Sequence, residues 1–356
     1  MKKLSICIPT YNRQDFLKRL LDNCIKETEG IEKFVEVCIS DNGSIDQTEK
    51  ILKEYSQKSK LIRYRINKKN RGFDSNLISV LSMAKGQYCW IMGDDDIFIQ
   101  GSINAALSMI NAEHPDYMAA EYKSSYNGNY INWKGNAVIE DKKAIRELFI
   151  DKFQDFSFIS SNIIRRKIFL EIRNTLPKDA NGFMHTAIQF HALERMKKVE
   201  VTRKTMVFDV SDGAFATKKN MLLISFKTGN SASELCKKGL ITKEEYLQII
   251  EKAYSHFYLH LIFYNFAIDD DGGKKEEIKS LTNEIYKRFI KNTRNDDLKL
   301  RLSFLIIKSK FLLQIFKIGY VVIYVKFMNV FRKDKKQIAW EFWKKNRSAG
   351  GRRNYF

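Results

Sequence analysis

Short apolar runs and longer periodic stretches take turns along the first third of this chain. "LSICIPTY" (4–11), "FVEVCISDNG" (34–43), "LIRYRIN" (61–67) and "QYCWIM" (87–92) are brief and rich in β-branched or aromatic residues, the pattern of strands. Between the first two, "RQDFLKRLLDNCIKE" repeats Phe16, Leu17, Leu20, Leu21, Cys24 and Ile25 at helical spacing. "SIDQTEKILKEYSQK" predicts a second helix, with Ser44 as N-cap and Gln47 three residues on, and "DSNLISVLSMAK" predicts a third. This alternation predicts an α/β fold, a mostly parallel twisted sheet with helices on both faces.

The later pattern is more mixed. "GSINAALSMINAEH" predicts a helix, "PDYMAAEYKSSYNGNYINW" strands around a turn, and "KKAIRELFIDKF" a helix. "SFISSNIIRRKIFLEI" reads as a strand followed by a helix, "TAIQFHALERMKK" as an amphipathic helix, and "VEVTRKTMVFDVSDG" (199–213) as strands. Beyond about residue 218 the signal is helical. The organisation expected is therefore a 1–217 domain, divided into halves 1–110 and 111–217, followed by a helical, basic region 218–356.

Composition narrows the class. Among 356 residues, 44% are hydrophobic and only three are Pro, which suits a globular chain without long disordered linkers. The five cysteines have no CxxC spacing and mostly sit in apolar runs, so they read as core thiols in a reducing compartment. Pro9, Asn12 and Arg13 interrupt the N-terminal apolar run before a signal-peptide core forms, which argues against secretion. The net charge of +20 is unevenly spread: residues 1–120 hold 17 Lys/Arg against 16 Asp/Glu, and residues 299–356 hold 15 against 2. A nucleic-acid enzyme would carry that excess around its groove, so nucleic acid is not the expected partner.

In parallel sheets, ligands bind beyond the carboxyl ends of the strands. Four polar clusters fall there: Thr10 to Arg13, Asp41 to Gly43, Asn67 to Gly72 and Asp94 to Asp96. They are expected to converge on one crevice. Three adjacent carboxylates repel one another, and each is costly if left unpaired away from water. A hard divalent ion such as Mg²⁺ or Mn²⁺, held with substrate phosphates, answers that demand, and a solvated acidic loop is the plainer alternative. On an extended chain Asp94 and Asp96 share a side, whereas a turn at Gly93 would present Asp95 instead. Asn70, Arg71 and Gly72, ahead of a helix start, suit a phosphate or ribose. Asp41, Asn42 and Gly43 could meet a base or cap the next helix.

Taken together, "SICIPTYNR", "VCISDNGSIDQT" and "NKKNRGFDSNLISVLSMAKGQYCWIMGDDD" resemble, in order and spacing, the nucleotide-sugar half of inverting family 2 glycosyltransferases of the GT-A fold. Within that family they look most like the abequosyltransferase-like enzymes of bacterial surface polysaccharide. The resemblance covers residues 3–110. It implies that Pro9, Thr10, Tyr11 and Arg13 line a nucleoside pocket and that Asp41, beside Asn42, reads the base. It also implies that Asn70, Arg71, Gly72 and Asn76 lie near ribose and diphosphate, and that Asp94, Asp95 and Asp96 bind metal and ribose. Two positions depart from the family pattern: Ser75 stands where Arg is frequent, and Met92 stands where the first acid of D-x-D-D is usual.

Inverting transfer needs a base for the acceptor hydroxyl. The family supplies it from an acidic pair at a helix start, and the matching positions here are Met184 and His185. His185 is the first candidate and Asp179 its main rival, while a polar residue at a helix N-terminus is the plainer reading of His185. The implied partners are a nucleoside-diphosphate sugar, UDP-linked by resemblance, and a glycan or lipid-linked acceptor. A nucleotidyltransferase is disfavoured by the lack of a glycine-rich loop after the first strand, and a dehydrogenase by the lack of GxGxxG. A noncatalytic binder of the same fold would need no base.

Lysines interrupt the apolar stretch 300–336 so often that its longest uncharged run near the end, Ile318 to Val325, is eight residues. A spanning helix needs about 20. With the basic clusters that follow, this predicts an interfacial helix on an anionic membrane, a core helix or an oligomer contact. The location expected is cytoplasmic, peripheral on the inner face of the plasma membrane.

Overall fold

All seven residues of β1 (Leu4–Thr10) and of β2 (Val35–Asp41) are buried, as central strands covered on both faces must be. The computed structural model describes residues 2–124, 128–129, 135–209 and 218–252. Those residues fall within one compact unit. The predicted βαβ arrangement is present: α1 (Gln14–Glu27) follows β1, α2 (Thr48–Lys58) follows β2, and β3 (Ile62–Ile66) leads to α3 (Phe73–Met83) and β4 (Tyr88–Ile91). The chain continues through β5 (Asp96–Phe98), α4 (Ser102–Glu113), β6 (Tyr117–Ser124), β7 (Gly128–Asn129), β8 (Ala137–Ile139), α5 (Lys142–Asp151) and α6 (Phe153–Phe156). It then forms β9 (Asn162–Arg165), α7 (Arg166–Ile172), α8 (Met184–Ala192), β10 (Val199–Asp209) and α9 (Lys218–Lys237). Residues 243–252 are also helical.

The sheet runs β3-β2-β1-β4-β9-β6-β10-β5, with β7 on β6 and β8 on β10. β3, β2, β1 and β4 are mutually parallel, whereas β9 is antiparallel to both β4 and β6. Trp90 shows how the junction is held. Its indole N–H donates to Ser160 O at 2.8 Å, and its ring meets Phe98 edge-on at 4.8 Å.

Pro9 marks where the sheet opens. The β1–β4 pairing ends at Cys7 and Ile91, and a last bond runs from Met92 N to Cys7 O. Pro9 faces that same edge past the last pair, so its missing N–H removes no ladder bond. Beyond it the β1–β4 ladder ends, and the carboxyl end of such a break is where parallel sheets place a binding crevice.

Three expectations change in the structure. Ser44 does not cap α2, because its hydroxyl and N–H are both engaged by Asp41. The helix starts at Thr48 instead, and Asp46 Oδ1 accepts the Thr48 N–H at 3.0 Å. Of the stretch 186–198 expected to be an amphipathic helix, the part inside α8 is buried at every position but His191, since α8 packs between α3, α7 and α9, and the exposed Glu194, Arg195 and Lys197 follow the helix. Finally, the acidic triplet ends inside a strand, β5, which pairs antiparallel with β10 and sets Asp96 opposite Asp209. The boundary expected near residue 218 falls within the compact unit, because α9 packs on α8. Cys7, Cys24, Cys38 and Cys89 are buried and all five thiols are free, in keeping with core thiols. The basic tail 299–356 lies outside the described residues, and no helix among those described is long and apolar enough to cross a membrane.

Candidate functional site

Asparagine amides build the floor of the crevice. Asn76, in the first turn of α3, donates from Nδ2 to Ser40 O at 2.8 Å and to Thr10 O at 3.2 Å, tying the ends of β2 and β1 to the helix. Its Oδ1 accepts from Asn67 Nδ2, which also reaches Asn42 Oδ1, both at 3.2 Å. Asn42 in turn donates to Asn70 Oδ1 at 2.8 Å and to Gly72 O at 3.1 Å, and accepts the Arg71 N–H at 3.1 Å. The side chains of Asn42 and Asn76 are therefore spent on holding loops together. Gly72 turns into α3 with φ 81°, a conformation other residues rarely adopt.

The loop after β1 is stapled to the loop after β2. Asn12 sits in the left-handed region with φ 52°, its N–H donating to Ser44 Oγ at 2.8 Å and its Oδ1 accepting the Ile45 N–H at 2.9 Å. Tyr11 stays 39% exposed beside Thr10, which is buried at the strand end. Asp41 is fully buried and accepts both the N–H and the hydroxyl of Ser44. Burial raises its pKa above the ordinary carboxylate range, and the bonds from Ser44 oppose that rise.

The three acids meet three different fates. The chain turns at Gly93, so Asp94 and Asp95 face Arg13 while Asp96 is bonded to the Ser160 hydroxyl. Arg13 Nη1 lies 2.6 Å from Asp95 Oδ2 and 3.8 Å from Asp94 Oδ1. Arg19 donates to the Asp95 carbonyl at 2.8 Å, and both guanidinium groups rest on the Phe16 ring, at 5.4 and 5.3 Å from its centroid. Burial pushes the Asp94 carboxyl up to about 7, the neighbouring Asp95 adds to that, and Arg13 offsets part of it. Asp96 is 3% exposed and hydrogen-bonded to the Ser160 hydroxyl, and burial followed by the Asp95 charge holds its pKa well above the usual range. A Cβ on residue 93 would sit 3.0 Å from Asp96 Oδ2 and 3.1 Å from Asp95 Oδ1, so a larger residue there would require the two carboxylates to give by a few tenths of an ångström.

This donor set fits a hard divalent ion. Asp94 and Asp95 present two carboxylates to one cation-bearing side, the number Mg²⁺ takes from protein when phosphates and water complete its shell. Among the described residues no group of three or more His, Cys, Asp or Glu side chains forms a self-sufficient metal site.

Across the crevice, Asp74 accepts the N–H groups of Ala180 (2.7 Å), Gly182 (3.1 Å) and Met184 (3.1 Å), the last of these at the start of α8. Asp179 is exposed and caps the Asn181 N–H at 2.7 Å. His185 lies at the start of α8, as expected from sequence, but only 5% of it is exposed. Its Nε2 is 2.8 Å from Ser157 O, which makes Nε2–H the donor, and Nδ1 is buried without a partner. Burial lowers its pKa to about 4, with the Ser157 bond opposing. The ring is edge-on to Phe73 at 6.5 Å and tilted on Phe183 at 5.5 Å.

All four sequence-predicted polar clusters thus reach one crevice. Asp74, Ser160 and Arg19 were not singled out from sequence. Asp74 carried one signal, an acid in the first turn of a helix, and that signal reads equally as a response to the helix dipole.

Residues 5–173 match the family model described as Glycosyl transferase family 2. Among curated proteins the chain is similar to abequosyltransferase RfbV of Salmonella typhimurium, 29% identical over 178 residues that make up 46% of this chain and 53% of that protein. It is also similar to the GalNAc(5)-diNAcBac-PP-undecaprenol beta-1,3-glucosyltransferase of Campylobacter jejuni, 24% identical over 56% of this chain and 67% of that one. The chain therefore spans about half to two thirds of the length of these relatives. Among solved structures, S. aureus TarS 1-349 in complex with UDP superposes with a TM-score of 0.56 at 15% identity over 82% of each chain. The mannosyltransferase PcManGT from Pyrobaculum calidifontis, in complex with GDP-Man and Mn2+, gives 0.51 at 14% over 86% of each. The fold is the GT-A fold expected from sequence.

Proposed function

We propose, from the premise that residues 5–173 form a glycosyl transferase family 2 domain, that this chain is an inverting, metal-dependent glycosyltransferase. It moves a sugar from a nucleoside diphosphate to a glycan or lipid-linked acceptor of bacterial surface polysaccharide. The carrying observation is the carboxylate pair of buried Asp94 and half-buried Asp95, turned toward Arg13 just past the end of the β1–β4 pairing. Support for a UDP-linked donor comes from the likeness to TarS, solved with UDP and with UDP-GlcNAc, and support for a lipid-linked acceptor from the undecaprenol-linked substrate named for the Campylobacter relative.

In this reading residues 1–110 bind the donor and 111–217 the acceptor. Pro9, Thr10, Tyr11 and Asp41 hold the nucleoside, and Arg71 with the backbone around Gly72 faces the diphosphate. Asp94 and Asp95 would hold Mg²⁺ or Mn²⁺, whose chemistry when bound is to neutralise the charge that develops on the departing diphosphate. Asp96 supports the turn from behind through Ser160. The acceptor oxygen attacks the anomeric carbon, the bond from that carbon to the diphosphate oxygen breaks, and the hydroxyl proton passes to a base. Asp179 is the accessible candidate for that base. His185 keeps its Nε2 proton on Ser157, and its Nδ1, with a conjugate-acid pKa of about 4, has the basicity of a carboxylate but must be uncovered to act.

The test is a panel of nucleotide sugars screened for Mn²⁺-dependent thermal stabilisation, followed by transfer assays on Asp179→Asn and His185→Ala. Loss of transfer with donor binding retained identifies the base. If no nucleotide sugar stabilises the protein, the transferase reading fails. We further assign the basic residues 299–356 to an anionic membrane surface on the cytoplasmic side, which vesicle flotation at low and high salt tests.

A further inference from the structure

The loops after β1, β2 and β3 form the donor side, and the segment 179–185 that enters α8 meets it at α3, where the Phe73 and His185 rings touch and where Asp74 supplies hydrogen bonds. Asp74 stands two residues after Gly72 in α3, is 6% exposed, and reaches three backbone N–H groups of that segment with its two carboxylate oxygens. Oδ2 takes those of Ala180 and Gly182, and Oδ1 takes that of Met184. Asn181 (φ 55°) and Gly182 (φ 82°) are consecutive left-handed residues, the conformation an Asn-Gly pair adopts readily, so the turn is encoded locally and what Asp74 adds is its placement against α3. Asp179 lies immediately before the gripped amides and His185 immediately after them. The Asp179 side chain also interacts with that of Asp74.

We infer that Asp74 is a positioning residue: by fixing the 180–184 backbone to the donor-side helix α3, it sets where both candidates for the acceptor base stand relative to the sugar donor. The inference rests on the transferase reading for its kinetic consequence, and on the hydrogen bonds alone for its structural one. A carboxylate suits the task because three donors converge on it and it has lone pairs for all of them. An asparagine has one accepting oxygen, so it can serve either the Ala180–Gly182 pair or Met184, never both. Misplacement of a catalytic group by about 1 Å costs on the order of 100-fold in rate without touching the ground-state contacts of the donor.

The experiment compares the full chain with Asp74→Asn and Asp74→Ala by amide hydrogen exchange, by Mn²⁺-dependent UDP binding and by steady-state transfer. Exchange at Ala180, Gly182 and Met184 is expected to accelerate in both variants while the loops at Asn12 and Asn42 keep wild-type protection. UDP affinity is expected to stay within about twofold while kcat falls on the order of 100-fold. Unchanged exchange at 180–184 in both variants overturns the inference, as does a wild-type kcat in the presence of accelerated exchange. Weakened UDP binding with unchanged kcat also overturns it, since that pattern assigns Asp74 to the donor. Should the wild type itself transfer no sugar, the transferase reading fails, and the exchange data still decide whether Asp74 holds the segment.

Discussion

Replacing Asn76 by Asp separates a framework role from a ligand-binding one at a position the family resemblance assigns to ribose and diphosphate. The exchange keeps the side chain's shape and removes the two Nδ2 donors that now meet Ser40 O at 2.8 Å and Thr10 O at 3.2 Å. With Asn76 only 2% exposed, water cannot replace them. Thr10 O keeps the Asn42 N–H at 2.9 Å, so the loss there is that of one bond, about 0.5–1.5 kcal/mol, and with the bond lost at Ser40 O the variant is expected to lose roughly 1–4 kcal/mol of folding stability. For a domain of this size each kcal/mol lowers Tm by about 2–4 °C. Protonating the new carboxyl restores one donor, so its folded pKa lies above the ~3.9 of a free aspartate. Between those two values the folded variant binds more protons than the unfolded one, and the deficit therefore deepens as pH rises through the window and shrinks in acid. Urea unfolding followed by tryptophan fluorescence, near neutral pH and again in acid, measures both effects. A variant that unfolds at the wild-type midpoint near neutral pH but binds nucleotide more weakly would refute the framework assignment.

Four further outcomes follow from the geometry. Ser160→Ala removes the hydroxyl that bonds Asp96 and the acceptor of the Gly93 N–H at 2.8 Å, so a loss of about 2–4 kcal/mol is expected by chemical denaturation. Gly93→Ala is expected to fold with the acidic turn displaced, because its Cβ would crowd Asp95 and Asp96; retained Mn²⁺-dependent nucleotide binding at wild-type affinity would count against this. His185 stays neutral in the fold with a pKa of about 4 against 6.5 for a free imidazole, so the unfolded chain binds the extra proton between those values and stability falls as pH drops through that window. Unfolding of His185→Gln should show a shallower loss over the same range. Arg13→Gln is expected to raise the Asp94 pKa above its present value of about 7, a shift readable by carboxyl-carbon NMR, since the Arg13 charge is the largest influence lowering it.

The elements that position the site were legible because period and burial agree. β1, β2 and β4 are short, mostly apolar runs buried on both faces and α1 is apolar on one, so each pattern has a single reading. Side-chain allegiance was not legible. Ser44 has the residue type of an N-cap, yet Asp41, three residues earlier and sharing the same turn, claims it. Asn42 and Asn76 have the residue type of ligand contacts, but an amide that can meet sugar hydroxyls can equally meet backbone carbonyls, and here the carbonyls of Gly72, Thr10 and Ser40 take it. Ser160 and Asp74 act across long sequence separations, on Asp96 and on the 180–184 backbone, and no local pattern marks such pairs. β5 was hidden for a related reason: three residues leaving an acidic turn form a strand only because β10 returns to pair with them.

Three adjacent carboxylates at the end of a buried strand pose a charge problem, and the way the fold resolves it bears on what the crevice can bind. Asp96 is withdrawn from the crevice by the Ser160 bond and by desolvation that favours its neutral form. Asp95 is compensated by Arg13 at 2.6 Å, and Asp94, farther from the guanidinium, lies close to half-protonated at neutral pH. The folded state therefore carries much less uncompensated charge than three acids imply. Asp94 and Asp95 would offer a divalent ion two oxygens, and the ion would supply charge neutralisation there. Arg13 stands on the α1 ladder with Phe16 and Arg19, beside the loops that would carry an anionic donor. On the proposed function, the acid pair and the arginine would thus serve a cation and an anion bound together, the charge pattern of a metal-bound diphosphate.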